Sequence, residues 1–118
     1  MVRSVEEALE LRRTGLGEFC IGEVDGRAPE GFDFGNSPFE IKSVDLHGKT
    51  IIQRTSAGTQ GIALASSRAQ RLYAASLVTA NATARAMLSS SPETVTLVAM
   101  GGEGIRRTDE DEVCAMEN

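Results

Sequence analysis

The stretch Thr55-Ser56-Ala57-Gly58-Thr59-Gln60-Gly61 sets three hydroxyls and two glycines between an apolar run and a helix-compatible segment. Glycines let the backbone approach an anion closely, hydroxyls donate hydrogen bonds, and a helix start adds unpaired N–H groups and the positive end of a dipole. That chemistry suits a phosphate or carboxylate, although the spacing is neither GxxxxGK[ST] nor GxGxxG. A well-capped helix start with no ligand remains the competing reading. A second stretch, Gly31-Phe32-Asp33-Phe34-Gly35-Asn36-Ser37-Pro38, concentrates an acid, an amide and a hydroxyl between glycines at another helix start. Asn36 and Ser37 could donate to an oxyanion, and Asp33 could do acid-base work or meet a metal. The alternative is a helix cap in which Phe32, Phe34 and Phe39 pin the loop to the core. A third stretch runs Thr108-Asp109-Glu110-Asp111-Glu112, hard oxygen ligands of the kind Mg²⁺ takes, or else a solvated first helical turn favoured by the helix dipole.

These residues need elements to hold them. Ser4-x-x-Glu7 has the spacing of a capping box, and the apolar residues after it run to Gly15, which predicts a short amphipathic helix. Phe19–Val24 reads as a strand followed by an Asp25-Gly26 turn. Residues 26–38 carry too many glycines and prolines for regular structure. Ser37-Pro38-x-Glu40 then opens a short helix near 38–43. From Thr50 onward, apolar runs at Thr50–Arg54, Leu72–Ser76 and Thr94–Met100 alternate with helix-compatible segments at Thr59–Gln70 and Thr79–Leu88. That alternation predicts parallel strands with their carboxyl ends on one edge, where ligands of open α/β sheets bind. The turns 55–59, 77–81 and 101–111 would meet there. Asn81 either caps its helix or faces that edge.

The whole chain limits what the site can be. Its 118 residues form one domain, 1–118, and the composition is that of an ordinary globular protein. Seventeen acidic against twelve basic residues leave a net charge of −5, the wrong sign for a surface that neutralises many phosphates of nucleic acid. No apolar run is long enough for a signal peptide core or a membrane span, which points to the cytoplasm and to no membrane partner. Cys20 and Cys114 lack metal-ligand spacing; Cys20 reads as a small core residue, and His47 as a solvated loop residue.

Taken in order, Gly31-Phe32-Asp33-Phe34-Gly35-Asn36-Ser37-Pro38, Arg54-Thr55-Ser56-Ala57-Gly58-Thr59, Ala80-Asn81-Ala82 and Glu110-Asp111-Glu112-Val113-Cys114-Ala115 resemble the 2-phosphosulfolactate phosphatase family over essentially the whole chain. The resemblance implies a three-layer α/β/α fold with a partly parallel sheet built from βαβ units. It also implies Mg²⁺-dependent hydrolysis of the phosphate ester of a small 2-hydroxy acid, in coenzyme M biosynthesis. By that matching Asn36, Ser37, Thr55, Ser56, Gly58, Thr59 and Asn81 face the ligand, a small phosphorylated or carboxylated acid. Asp33 is the candidate catalytic residue, and Glu110 and Asp111 the candidate metal ligands. Family members carry, upstream, a strand ending in an Ile-Asp-Val-x-Arg-Ala-Thr-like segment, and further elements downstream. The expectation is therefore an incomplete version of the fold whose uncovered apolar face favours a homo-oligomer. The alternative function is an impaired homologue that binds an anion or oligomerises without turnover.

Overall fold

A computed structural model describes residues 1–117 of the chain. The elements are α1 (Val5–Arg13), β1 (Phe19–Gly22), α2 (Pro38–Ile41), β2 (Ile51–Arg54), α3 (Gly58–Ala65), α4 (Ala80–Leu88) and α5 (Asp109–Glu117). Each lies where the sequence signals place it. Ser4 caps α1 by accepting from the Glu7 amide at 3.1 Å, and the Glu7 carboxylate reaches back to the Arg3 amide. Asp25 and Gly26, both at positive φ, form the two-residue turn that Val24 and Arg27 close with reciprocal backbone bonds.

β1 and β2 pair in parallel, Phe19 with Ile51 through Gly22 with Arg54, so the two carboxyl ends emerge together. Leu11 and Phe32 pack over a small core of Val2, Ala8, Cys20 and Ile52, which ties α1 and the 26–38 loop to the strand pair. Phe34 lies against Phe19 with ring centroids 6.0 Å apart. Phe39 does not pin the loop, being 86% exposed.

The coarse expectation of a mixed α/β fold with parallel pairing holds, but the sheet has two strands among the described residues. Leu72–Ser76 and Thr94–Met100, expected as strands, are irregular. A strand needs a free ladder edge, and both outer edges of this pair are engaged. Phe34 bridges to Ile21 along β1, and the Val2 amide donates to the Gln53 carbonyl at 3.0 Å along β2. The later runs make no ladder bonds to this pair among the described residues. Among the described residues α4 packs against α5 and against neither strand. Met100 approaches α3, sitting on Gly61 so closely that a Cβ there would fall onto its sulfur. No helix among the described residues is long and apolar enough to cross a membrane.

Candidate active site

The carboxyl edge of the strand pair gathers three segments. Residues 23–26 leave β1 and residues 55–58 leave β2. Because residue 34 runs parallel beside Ile21, residues 35–37 emerge at that edge too. Asn36 is exposed and Ser37 half-buried there, and Ser37 makes no side-chain cap bond to α2. The structure therefore brings Asn36, Ser37, Ser56 and Gly58 to one edge.

The hydroxyls of the 55–59 turn divide into two groups. Thr59 is 2% exposed and faces inward. Its Oγ1 accepts from the Thr55 amide at 2.7 Å and donates to the Thr55 carbonyl at 3.0 Å, while the Thr59 amide donates to Thr55 Oγ1 at 3.2 Å. These two threonines lock the turn and are spent on each other. Thr59→Val, which keeps the shape and deletes the hydroxyl, should lower stability by about 1–3 kcal/mol, because it leaves the Thr55 amide buried and unpaired. Thermal melts of Thr59→Val beside Thr59→Ser, which keeps the hydroxyl, check this.

Ser56 is the second group, and its partner was not among the candidates read from the sequence. Glu23 Oε1 accepts from the Ser56 amide at 2.6 Å, and Glu23 Oε2 accepts from the Ser56 hydroxyl at 2.9 Å and from the Gly26 amide at 3.0 Å. Arg54 Nη1 donates to the Glu23 carbonyl at 2.8 Å. Partial burial works to raise the Glu23 carboxyl. The amides of Ser56 and Gly26, the Ser56 hydroxyl and the charge of Arg54 outweigh it and hold the group below its ordinary value. The signal for Glu23 was its place, the first residue after β1, beside the residue that follows β2. A carboxyl depressed in the native state binds fewer protons than in the unfolded chain. Its contribution to stability is thus complete above the ordinary glutamate value of 4.5 and is lost as pH falls through the native one. Glu23→Gln should lower the melting temperature most in the neutral range, where the contribution is complete, and should flatten the fall on the acid side of pH 4.5 so that the variant and wild type converge there.

What remains open to a ligand at this edge is specific. The amides of Ala57 and Gly58, at the start of α3, donate to nothing among the described residues. Space beside Gly58 is open, since a Cβ there would meet only Thr55 Oγ1, at 3.9 Å. Arg54 Nε is buried and likewise has no partner. Two free amides, a helix dipole and an unsatisfied guanidinium N–H are the groups that oxyanions meet in proteins.

The other candidates sit elsewhere. Asp33 Oδ2 accepts from Arg12 Nη1 and from the Cys20 amide, both at 2.8 Å, and Arg12 Nη2 donates to the Gly31 carbonyl at 2.7 Å. Asp33 thus ties its loop to α1 and to the middle of β1. Cys20 is fully buried; burial pushes its thiol up, Arg12 and Asp33 act on it in opposite directions, and its sulfur faces the Ala8 carbonyl at 3.4 Å. Asn81 is exposed in the first turn of α4, away from the strand edge. Asp111 accepts from the Gly101 amide through Oδ2, Glu112 pairs with Arg107, and Glu110 is exposed. Thr108 does not cap α5 with its hydroxyl, which is buried without a partner. Among the described residues no three of His, Cys, Asp and Glu gather as a metal cluster.

An α/β chain with parallel strands that end at a glycine- and hydroxyl-bearing turn is the class these features define. The family model described as 2-phosphosulpholactate phosphatase matches residues 1–117, and the chain belongs to that family. Similar curated proteins are each named probable 2-phosphosulfolactate phosphatase. The one from Thermotoga petrophila is 37% identical over 103 residues, covering 87% of this chain and 43% of that protein. The one from Deinococcus radiodurans is 34% identical, covering 88% and 43%. The one from Caldicellulosiruptor saccharolyticus is 33% identical, covering 97% and 48%. The chain spans less than half the length of these relatives. No solved structure matches it.

Proposed function

We propose that this chain forms the phosphate-seating part of a phosphatase that hydrolyses the phosphate ester of a small 2-hydroxy acid, 2-phosphosulfolactate or a close analogue, with Mg²⁺ assisting. The observation that carries the reading is the pair of unbonded amides at Ala57 and Gly58 beside the unpartnered Nε of Arg54. Membership of the family supports the reaction class.

Each residue has a part in this reading. The Ala57 and Gly58 amides receive two phosphate oxygens, and Arg54 adds positive charge beneath them. Ser56 gives its proton to Glu23, so its oxygen presents lone pairs to a donor on the substrate, a hydroxyl or a protonated phosphate oxygen. Asn36 and Ser37 take the acid end of the substrate. Asp33 holds the loop that carries them in place. The remaining strand-like runs, Leu72–Ser76 and Thr94–Met100, belong to the three-layer α/β/α arrangement of this reading.

Mg²⁺ takes few protein ligands when water and substrate oxygens complete its shell, and Asp111 and Glu110 are a donor set of that kind. Asp111 keeps one carboxylate oxygen beyond its bond to Gly101, Glu110 is exposed, and the seating of Met100 on Gly61 ties their loop to the first turn of α3. When bound, the ion would neutralise charge on the transferring phosphoryl group.

Phosphate release from 2-phosphosulfolactate, measured with Mg²⁺ and again after chelation, tests the reading. Release that stops on chelation is expected. A second reading, anion binding without turnover, is favoured by the engagement of both Ser56 donors with Glu23. It predicts stabilisation by inorganic phosphate, about 2.7 kcal/mol at a hundredfold excess over the dissociation constant, with no release. Neither release nor stabilisation removes both.

A further inference from the structure

Ser56 has one hydroxyl proton, and the Glu23 carboxylate takes it. Glu23 is ionised at neutral pH, because partial burial is outweighed by the Ser56 and Gly26 amides, the Ser56 hydroxyl and the charge of Arg54. An ionised carboxylate only accepts, so in the 2.9 Å contact between Ser56 Oγ and Glu23 Oε2 the hydroxyl is the donor. Its oxygen is left with lone pairs alone. The carboxylate is also held in place. It accepts the Ser56 amide on Oε1 and the Gly26 amide, beside the hydroxyl, on Oε2, while Arg54 Nη1 grips the backbone carbonyl of the same residue at 2.8 Å.

This fixed acceptor adjoins donors. Ser56 is half-buried and directly precedes Ala57 and Gly58, whose amides are unbonded among the described residues. An oxyanion seated on those amides therefore meets N–H groups on one side and, at the neighbouring residue, lone pairs backed by a negative charge. A proton on one of its oxygens turns that second contact from a repulsion into a hydrogen bond.

We infer that Glu23 is a positioning residue whose hold on the Ser56 hydroxyl makes the turn select a proton-bearing oxyanion, a phosphate, over a fully ionised one such as a sulfate or sulfonate. The inference rests on the phosphate-seating reading and fixes the direction of the substrate within it. 2-Phosphosulfolactate carries two tetrahedral oxyanions, a phosphate ester and a sulfonate, and only the phosphate holds a proton near neutrality. The ester thus belongs at 56–58, in its monoanionic form, with the sulfonate turned toward Asn36 and Ser37. A monoester whose second pKa is about 6 has that form as a minority at neutral pH, whereas inorganic phosphate keeps a proton, so the seat holds product more firmly than substrate.

Titration calorimetry of the full chain with inorganic phosphate and with sulfate at neutral pH tests it. Sulfate matches monohydrogen phosphate in shape and charge and lacks only the proton. The wild type should bind phosphate about 10–100-fold more tightly than sulfate, the effect of one hydrogen bond made or refused at a half-buried site. In Glu23→Gln the side-chain amide can donate to Ser56 Oγ, which frees the hydroxyl to donate to the anion. Both affinities should rise, that for sulfate more, and the ratio of the two should fall at least ~5-fold. Ser56→Ala removes the acceptor outright and should lower the ratio in the same way, which keeps the test open if Glu23→Gln does not fold. A merely structural role for Glu23 would change both affinities by one factor and leave the ratio alone. Equal binding of the two anions by the wild type, or an unchanged ratio in the folded variants, would overturn the inference and leave the phosphate seat standing. Binding of neither anion would remove the seat, and the inference with it.

Discussion

Gly22→Ala should abolish cooperative folding of this chain. Gly22 closes β1 at φ +136°, a conformation that side chains rarely adopt. Its surroundings leave no freedom to relax. The Gly22 amide donates to the Phe34 carbonyl on one side, and the Glu23 amide donates to the Arg54 carbonyl on the other. A Cβ at Gly22 would fall onto that same Arg54 carbonyl oxygen. The backbone, not a movable side chain, is what it meets. Separating β1 from β2 at this point breaks the edge on which Glu23, Arg54 and Ser56 depend. A cost above ~4 kcal/mol belongs to the exceptional class of substitutions and rivals the whole stability of a small domain. Circular dichroism melts should show a sigmoidal transition in the wild type and none in Gly22→Ala. Gly58→Ala is the control, since its Cβ enters open space and its melt should match the wild type within about 0.5 kcal/mol. A wild-type melt from Gly22→Ala would mean that the strand ends do not approach as described.

The elements that local chemistry specifies were legible in the sequence. Ser4 and Glu7 announce α1, Asp25-Gly26 announces its turn, and Pro38 announces α2, because caps and positive-φ turns act within a few residues. Leu72–Ser76 and Thr94–Met100 were not legible as they are, since a strand exists only where another offers an edge. Nothing within five residues of Leu97 reports that Phe34 and Val2 already occupy the outer sides of β1 and β2. The site divides in the same way. That the 55–59 turn suits an anion follows from its glycine and hydroxyls. Which hydroxyl faces inward does not. Thr55 and Thr59 satisfy each other, and the carboxylate that takes the Ser56 donors comes from Glu23, 33 residues away. A polar pair separated by that distance in the chain leaves no local pattern.

Arg54→Gln should weaken binding of inorganic phosphate by about 10–100-fold, the size of a lost hydrogen bond to a charged group. The residue follows directly from the register. As the last residue of β2, opposite Gly22, it stands where the strand pair opens onto the 55–58 turn. One of its N–H groups holds the Glu23 carbonyl, while its buried Nε has no acceptor. Lysine in its place would keep the charge but lose the fork that bonds the carbonyl and an oxyanion together, so Arg54→Lys should recover only part of the affinity. Glu23→Gln should act with the opposite sign. Its carboxylate is a fixed negative charge bonded to the same turn, and neutralising it removes a repulsion that an incoming phosphate otherwise meets. Titration calorimetry of the three variants at low and high salt measures both effects, and the differences should shrink as screening increases. Arg54 and Glu23 also support the turn structurally, and either loss would lower the melting temperature. Only a seat for an anion makes the two substitutions move phosphate affinity in opposite directions; equal affinities, or losses of the same sign, would leave the turn a structural lock with no ligand.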